Sequence, residues 1–476
     1  MSESKDVEMK GEEYDLAAET KSIVEEIEQS FNLLEKAATL FDNRYVSKVL
    51  RDFAPLRKKL LTHDQVLPTI INNSFPDSNS AKQDLLKLFK AGPITGSEGG
   101  NAQSPIPEVE LFIYLLVQVY LLDSNELQKL NELSVHLVRV MNSYNRRSLD
   151  FLQAKIWFYI SRGKELVGDL LSVRTDLLYS LRTASLRHDT ETTASIITLL
   201  LRNYLLSHDI QQAANLVEKV VFPENAANAL VARYYYYLAR INAVQLDYTT
   251  AHECVIAAVR KSPQTKSANG FLQAATKLNI IIELLMGEIP ELKTFKNKTG
   301  SYEPYFSVTK AVRLGDLKLF GQVLKKYEDA FKKDDNFTLV SRLRQNVIKT
   351  GIRIMSLSYS KISLKDICIK LHLDSEESTE YIVSKAIRDG VIEATINHQQ
   401  GYMQSSEILD VYSTKLPQTE FDHRIKFCLS LHNDSVKSMR FPNEDDKQAV
   451  NKEVEPSDEV ELLKAIEEGD LDDFMD

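Results

Sequence analysis

Cysteine is scarce: the 476-residue chain has three, Cys254, Cys368 and Cys428. They are odd in number and far apart, which fits neither a disulfide framework nor a zinc cluster, so a reducing compartment is expected. Glycine and proline are also few, 16 and 13, and long helices become the default. The longest apolar run, Leu111 to Leu122, contains Gln118 and is too short to span a bilayer. The start, MSESKD, is acidic and lacks the apolar stretch of a signal peptide. These absences exclude a membrane partner and leave cytoplasm and nucleus as the expected locations.

Catalytic signatures are missing as well. The chain has no GxxxxGK[ST] phosphate loop, GxGxxG fingerprint, HExxH pair or GxSxG elbow. Its nine histidines are scattered without ligand spacing. The densest cluster, His252-Glu253-Cys254, falls on a helix, where adjacent side chains point different ways. The expectation is no catalytic residue, no cofactor and no metal.

What remains is a chain of ordinary globular composition, too long for one core, which calls for two or three domains or a repeat array. Charge is unevenly placed. Residues 443–476 carry 14 acidic and 3 basic side chains, and residues 1–30 carry 10 and 3, which leaves a net +8 on residues 31–442. A basic body between acidic ends suits nucleic acid or an acidic protein, or is plain solvated surface.

Residues 1–22 read as a disordered acidic N-terminus, and an amphipathic helix follows from Ile23 to Leu40. The segment 91–107, AGPITGSEGGNAQSPIP, reads as a flexible loop. Over 23–335 the pattern is a mainly α, TPR-like helical-repeat solenoid. A unit aligned at Ala232 places Tyr235, Leu238 and Ala239 on its first helix and Tyr248, Ala251, Val255, Ala258 and Pro263 on its second. Small residues at Ala239, Ala251 and Ala258 let the helices approach, and Pro263 stops the second. Asn242 departs from the usual aromatic. A second unit fits from Ala194, and weaker ones turn at Gly287 and Gly315.

Past a long helix from about Leu339 to Tyr359 the pattern changes. Ser363 with Asp366, then Asp374 with Glu377, mark two capped helix starts; Ile392, Ala394 and Ile396 alternate as a strand, and Tyr402 to Gln404 returns. Residues 336–412 thus read as a winged helix. Its would-be recognition helix, 375–389, concentrates Glu376, Glu377 and Glu380 toward its start, where phosphates would be repelled. Protein contact, not nucleic acid, is expected. A C-terminal helix at about 418–440 and an acidic tail at 443–476 close the chain.

Three surfaces are candidate contact sites. The wing, Thr395, Ile396 and Asn397 with Tyr402, Met403 and Gln404, is a two-stranded ribbon with unpaired edges. The C-terminal helix carries an apolar seam of Phe421, Ile425, Cys428, Leu429, Val436 and Met439, with little chain left to cover it. The first helices of the repeats present Arg202, Arg233, Tyr236, Arg240 and Lys277, a cationic lining for an acidic chain bearing aromatics. Pairing of these cations with carboxylates of the solenoid is the competing expectation.

Repeats that run through one long helix into a winged helix resemble the PCI family, found in the proteasome lid, the signalosome and a translation initiation factor. Stretches such as 246–264 (LDYTTAHECVIAAVRKSPQ), 346–368 (NVIKTGIRIMSLSYSKISLKDIC), 386–405 (AIRDGVIEATINHQQGYMQS) and 435–442 (SVKSMRFP) are similar to a proteasome-lid member, with the PCI region at about 235–414. The resemblance implies a non-catalytic scaffold in ubiquitin-dependent degradation. It also implies winged helices side by side with other PCI subunits, a helical bundle with lid subunits that include the deubiquitinase module, and a small acidic disordered lid subunit as partner. A paralogous signalosome or initiation-factor subunit, or a nucleic-acid-binding winged-helix protein, are the alternatives.

Overall fold

The computed structural model describes residues 3–63, 65–76, 80–89, 105–296, 300–373, 375–406 and 411–439. The acidic tail 443–476 and most of segment 91–107 lie outside the described residues. The chain divides into two compact units, Met1–Ser358 with Leu364–Ala386, and Tyr359–Ser363 with Ile387–Asp476.

The first unit begins with α1 (Glu3–Leu40), which starts some twenty residues before the helix expected at Ile23. Residues 3–22 contain one glycine and no proline, and their many Glu, Lys and Ala residues are good helix formers. Acids at a helix N-terminus also favour the macrodipole, so a composition that signals disorder equally suits a helix start. α2 (Asn43–Thr62), α3 (Val66–Ser74) and α4 (Ser80–Leu88) follow. α5 (Pro107–Asp123) takes the last proline of the 91–107 segment as its first residue, where the missing N–H costs nothing.

α5 contains the longest apolar run, and it is buried all round: every residue from Leu111 to Val117 is at most 1% exposed. Two acids at its start are buried with it and paired by the turn after α6 (Leu127–Ser143). Ser148 Oγ donates to Glu108 Oε1 at 2.5 Å, and Tyr144 OH donates to Glu110 Oε2 at 2.7 Å. A buried carboxylate without such donors would cost several kcal/mol, on the order expected for desolvating an ion. Among the described residues no helix is long and apolar enough to cross a membrane.

Paired helices then repeat: α7 (Asp150–Val167) with α8 (Leu170–Leu186), α9 (Thr190–Leu206) with α10 (Ile210–Lys219), and α11 (Asn228–Val244) with α12 (Tyr248–Lys261). Ala239, Ala251, Val255 and Ala258 are fully buried, as the TPR alignment requires. Asn242 has its own role, since its Nδ2 donates to Thr250 Oγ1 at 3.2 Å across the turn. The turns share a two-residue signature. A left-handed residue, Gly168, His188, His208 or Leu246, is followed by Asp169, Asp189, Asp209 or Asp247. The first, second and fourth of these aspartates accept a backbone N–H of the helix they open.

α13 (Asn269–Met286) ends at left-handed Gly287, then come α14 (Lys293–Lys296), α15 (Glu303–Leu314), α16 (Leu317–Lys326), α17 (Glu328–Lys333) and α18 (Phe337–Ser358). α18 receives the ends of three earlier helices. Arg342 Nη1 donates to the carbonyls of Ala243 and Val244 at 3.2 and 3.1 Å, closing α11. Asn346 Nδ2 donates to Leu284 and Leu285 at 2.7 and 3.0 Å, closing α13. Gly351 meets Gly315, the left-handed cap of α15. Terminal carbonyls that water would otherwise serve are thus used to join repeats to the long helix. α19 (Leu364–Leu371) and α20 (Glu376–Arg388) complete the helices of this unit. At the start of α20 Ser375 Oγ accepts from Ser378 N at 3.2 Å; the expected cap Asp374 lies outside the described residues.

The second unit holds a three-stranded antiparallel sheet, β1 (Lys361–Ser363), β2 (Ala394–Asn397) and β3 (Tyr402–Ser405), in the order β1-β3-β2. It also holds α21 (Leu416–Met439). Strand β1, helices α19 and α20 and the β2–β3 hairpin follow one another in the chain order of a winged helix.

Candidate interaction surfaces

The expected two-stranded wing is corrected to three strands. Ile362 lies opposite Met403, which lies opposite Ile396, so Tyr402, Met403 and Gln404 form the centre of the sheet and not an edge. Met403 is fully buried, and Lys361 Nζ sits 3.6 Å above the Tyr402 ring. The free edge on this side is β2, carrying Thr395, Ile396 and Asn397. Ser406 N–H donates to Glu393 O at 2.9 Å, so by antiparallel alternation the amides of Thr395 and Asn397 face β3 while that of Ile396 faces outward.

On α21 no residue is buried. Phe421, Ile425 and Leu429 are 64%, 57% and 56% exposed, and Met439 is 69% exposed. Cys428 is exposed too, and Val436 is half-buried. Phe427 and Leu431, outside the expected seam, are equally exposed. An isolated helix with apolar side chains on more than one face gains little from water, and most helical stability comes from packing such a face.

The cationic lining is differently arranged from a free groove. Arg202 forks onto Glu165, with Nε and Nη2 at 3.0 and 2.8 Å from its oxygens. Burial pushes the Glu165 carboxyl up, but Arg202 and Arg162 together hold it below its ordinary value. Tyr236, Arg240 and Lys277 gather at the α17–α18 turn. Lys277 Nζ stands 2.7 Å from Asp334 Oδ2, Arg240 Nη2 stands 3.3 Å from Asp335 Oδ2, and Tyr305 OH donates to Asp334 at 2.8 Å. Tyr236 packs edge-on to Phe271, and burial raises its phenol pKa. Arg233 alone of the four cations has no ion pair among the described residues; it lies over the Phe158 ring at 5.6 Å.

The His252-Glu253-Cys254 cluster lies on α12 and places no reactive thiolate: burial, then the Glu253 charge, push the Cys254 thiol up to about 11.

Helical repeats, a long helix that closes them, and a winged helix with an exposed helix beyond it define a PCI-domain protein; the PCI domain model matches residues 324–407. Residues 19–309 match the family described as PSMD3-like, N-terminal TPR repeats, and residues 410–473 match the family that describes the C-terminal part of a proteasome regulatory subunit. The chain is 44% identical over 463 residues to the probable 26S proteasome regulatory subunit rpn3 of Schizosaccharomyces pombe, covering 95% of this chain and 92% of that one. It is 42% identical to the Saccharomyces cerevisiae 26S proteasome regulatory subunit RPN3, covering 90% and 88%. It is 41% identical to the Dictyostelium discoideum 26S proteasome non-ATPase regulatory subunit 3, covering 93% and 91%. The chain belongs to the family of 26S proteasome non-ATPase regulatory subunit 3.

Proposed function

We propose that the chain is a non-catalytic scaffold subunit of the lid of the 26S proteasome regulatory particle. As such it supports ATP-dependent degradation of ubiquitinated proteins in cytoplasm and nucleus. The observation that carries this reading is α21, a 24-residue helix with no buried residue and large apolar side chains in water. Such a helix is made to be covered by other chains. In this reading it enters a helical bundle with lid subunits that include the deubiquitinase module. The outward edge of β2 pairs with a neighbouring PCI subunit, by the strand addition that satisfies free amides. Arg233, the cation of the repeat face without an ion pair among the described residues, contacts a small acidic disordered lid subunit.

Affinity purification of the tagged chain followed by mass spectrometry tests the reading. Recovery of a peptidase-containing particle with the other lid subunits is the expected result. Recovery of signalosome or initiation-factor subunits in their place would overturn it.

A further inference from the structure

α18 joins the repeats along one edge and leaves another face open. Two contiguous cavities of about 660 and 410 Å³ lie along it within the first unit, and both are lined by Arg344. One is walled by α16, with Phe320 and Leu324; the other is walled by α20, with Ile382. From Ser341 to Ile352 the floor runs about 16 Å, at ~1.5 Å per residue, or three helical turns. Half-buried Leu324, Ile348 and Ile382 supply an apolar bed.

The rim is cationic. Lys318 and Lys325 on α16, Arg344 on α18 and Lys385 on α20 line the cavities, all exposed, and none forms an ion pair among the described residues. The contrast with Arg202, Arg240 and Lys277 is chemical: those three are held by carboxylates of the fold, whereas these four meet none among the described residues. Four cations around an apolar bed favour an anionic ligand over a cationic one.

The geometry points to this groove as a docking site for an amphipathic acidic helix of about three turns from a partner protein. Its aliphatic side chains fill the bed between α16 and α20, and its carboxylates meet Lys318, Lys325, Arg344 and Lys385. Helix-in-groove recognition of this kind takes affinity from apolar anchors and takes orientation and partner choice from charge. The groove has no lining residue in α21 or β2, and its occupancy does not depend on the assembly reading.

Fluorescence anisotropy on the full-length chain tests it with three labelled 18-residue helix-forming peptides: one with Glu and Leu faces, one with Glu and Gln faces, and one with Lys and Leu faces. The Glu/Leu peptide is expected to bind at least tenfold tighter than either other. The variant Lys318→Glu with Lys325→Glu should lose about tenfold for the Glu/Leu peptide and gain affinity for the Lys/Leu peptide, with thermal unfolding unchanged. That gain is a readout that damage to the fold would not produce. Equal binding of the Glu/Leu and Glu/Gln peptides would reduce the site to unspecific charge attraction and overturn the proposal. So would undiminished binding by the reversed variant. Sedimentation of the chain alone adds a last arm, since a dimer that the reversed variant loses would assign the groove to a second copy and overturn the partner reading.

Discussion

Gly315 and Gly351 approach so closely that neither position has room for a methyl group. A Cβ on Gly315 would stand 2.6 Å from Gly351 N, and one on Gly351 would stand 2.9 Å from Gly315 O and 2.7 Å from Leu371 Cδ2. The end of α15 is thereby seated on α18, next to the carbonyls that Arg342 and Asn346 collect from α11 and α13. Gly315 carries a second demand, a φ of +67°.

Gly351→Ala should therefore destabilise the first unit by about 1–3 kcal/mol, the usual cost of overpacking. Gly315→Ala should cost more, because left-handed backbone adds about 1–2 kcal/mol for an L side chain. Urea unfolding followed by tryptophan fluorescence at Trp157 measures both. Equal stability of the Gly351→Ala variant and the parent would mean that α15 and α18 are not in backbone contact.

Asp150, the first residue of α7, has a carboxyl pushed up to about 6 by burial and then by the neighbouring Asp189 charge. A carboxyl whose folded pKa is raised weighs against the folded state above that pKa, and the penalty fades as pH falls through 6 toward the unfolded value near 4. Asp150→Asn should accordingly stabilise the protein by about 1 kcal/mol at pH 7.5 and by nothing measurable near pH 3.5. Melting temperatures of both proteins across that range decide it; a difference that does not shrink on acidification would contradict the assignment.

The ion pairs at the α17–α18 turn give a stability phenotype where a free groove would give a binding one. Lys277→Glu leaves Asp334 and the new carboxylate facing each other beside buried Tyr305, and should cost about 2–4 kcal/mol. Arg233→Glu, which breaks no ion pair, should leave unfolding within about 0.5 kcal/mol of the parent. If the two variants unfold alike, the internal pairing is wrong.

These pairs explain what the sequence could and could not reveal. The repeats were legible because Ala239, Ala251 and Ala258 fall at fixed spacings within one helical pair. The partners of the cations were not, because Arg240 meets a residue 95 positions away and Lys277 one 57 positions away. The turn signature was legible but easily missed: Gly-Asp, His-Asp, His-Asp and Leu-Asp differ in their first residue, and only the backbone shows that all four take a left-handed step. β1 has three residues, Lys-Ile-Ser, too few to show alternation, and without it Met403 looks like an edge residue instead of the centre of a sheet.

The sheet yields its own test. Proline at Met403 removes a donor from the central strand and should unfold the sheet, whereas Ile396→Pro removes an amide that faces away from β3. Circular dichroism and limited proteolysis should find Ile396→Pro folded, and co-purification should find it poorly retained by other lid subunits. Normal retention of a folded Ile396→Pro protein would exclude strand addition at this edge.

The last test concerns α21. Because none of its 24 residues is buried, a chain ending at Lys415 removes no buried residue of α21, and its melting temperature should equal that of the full chain. The same helix bears Phe421, Ile425, Leu429 and Met439 at intervals of three, four or their sums, and each side chain that a partner covers contributes about 1.5–3 kcal/mol. Deleting it should thus abolish co-purification with lid subunits while sparing the fold. A gentler variant guards against loss of the tail being the cause: Ile425→Asp with Leu429→Asp keeps residues 440–476 and places two charges in the seam. Desolvating those carboxylates in a bundle would cost more than the remaining contacts return, so incorporation should fall at least tenfold. Retention of the double variant at parental levels, with the truncated chain lost, would move the contact from α21 to the residues that follow it.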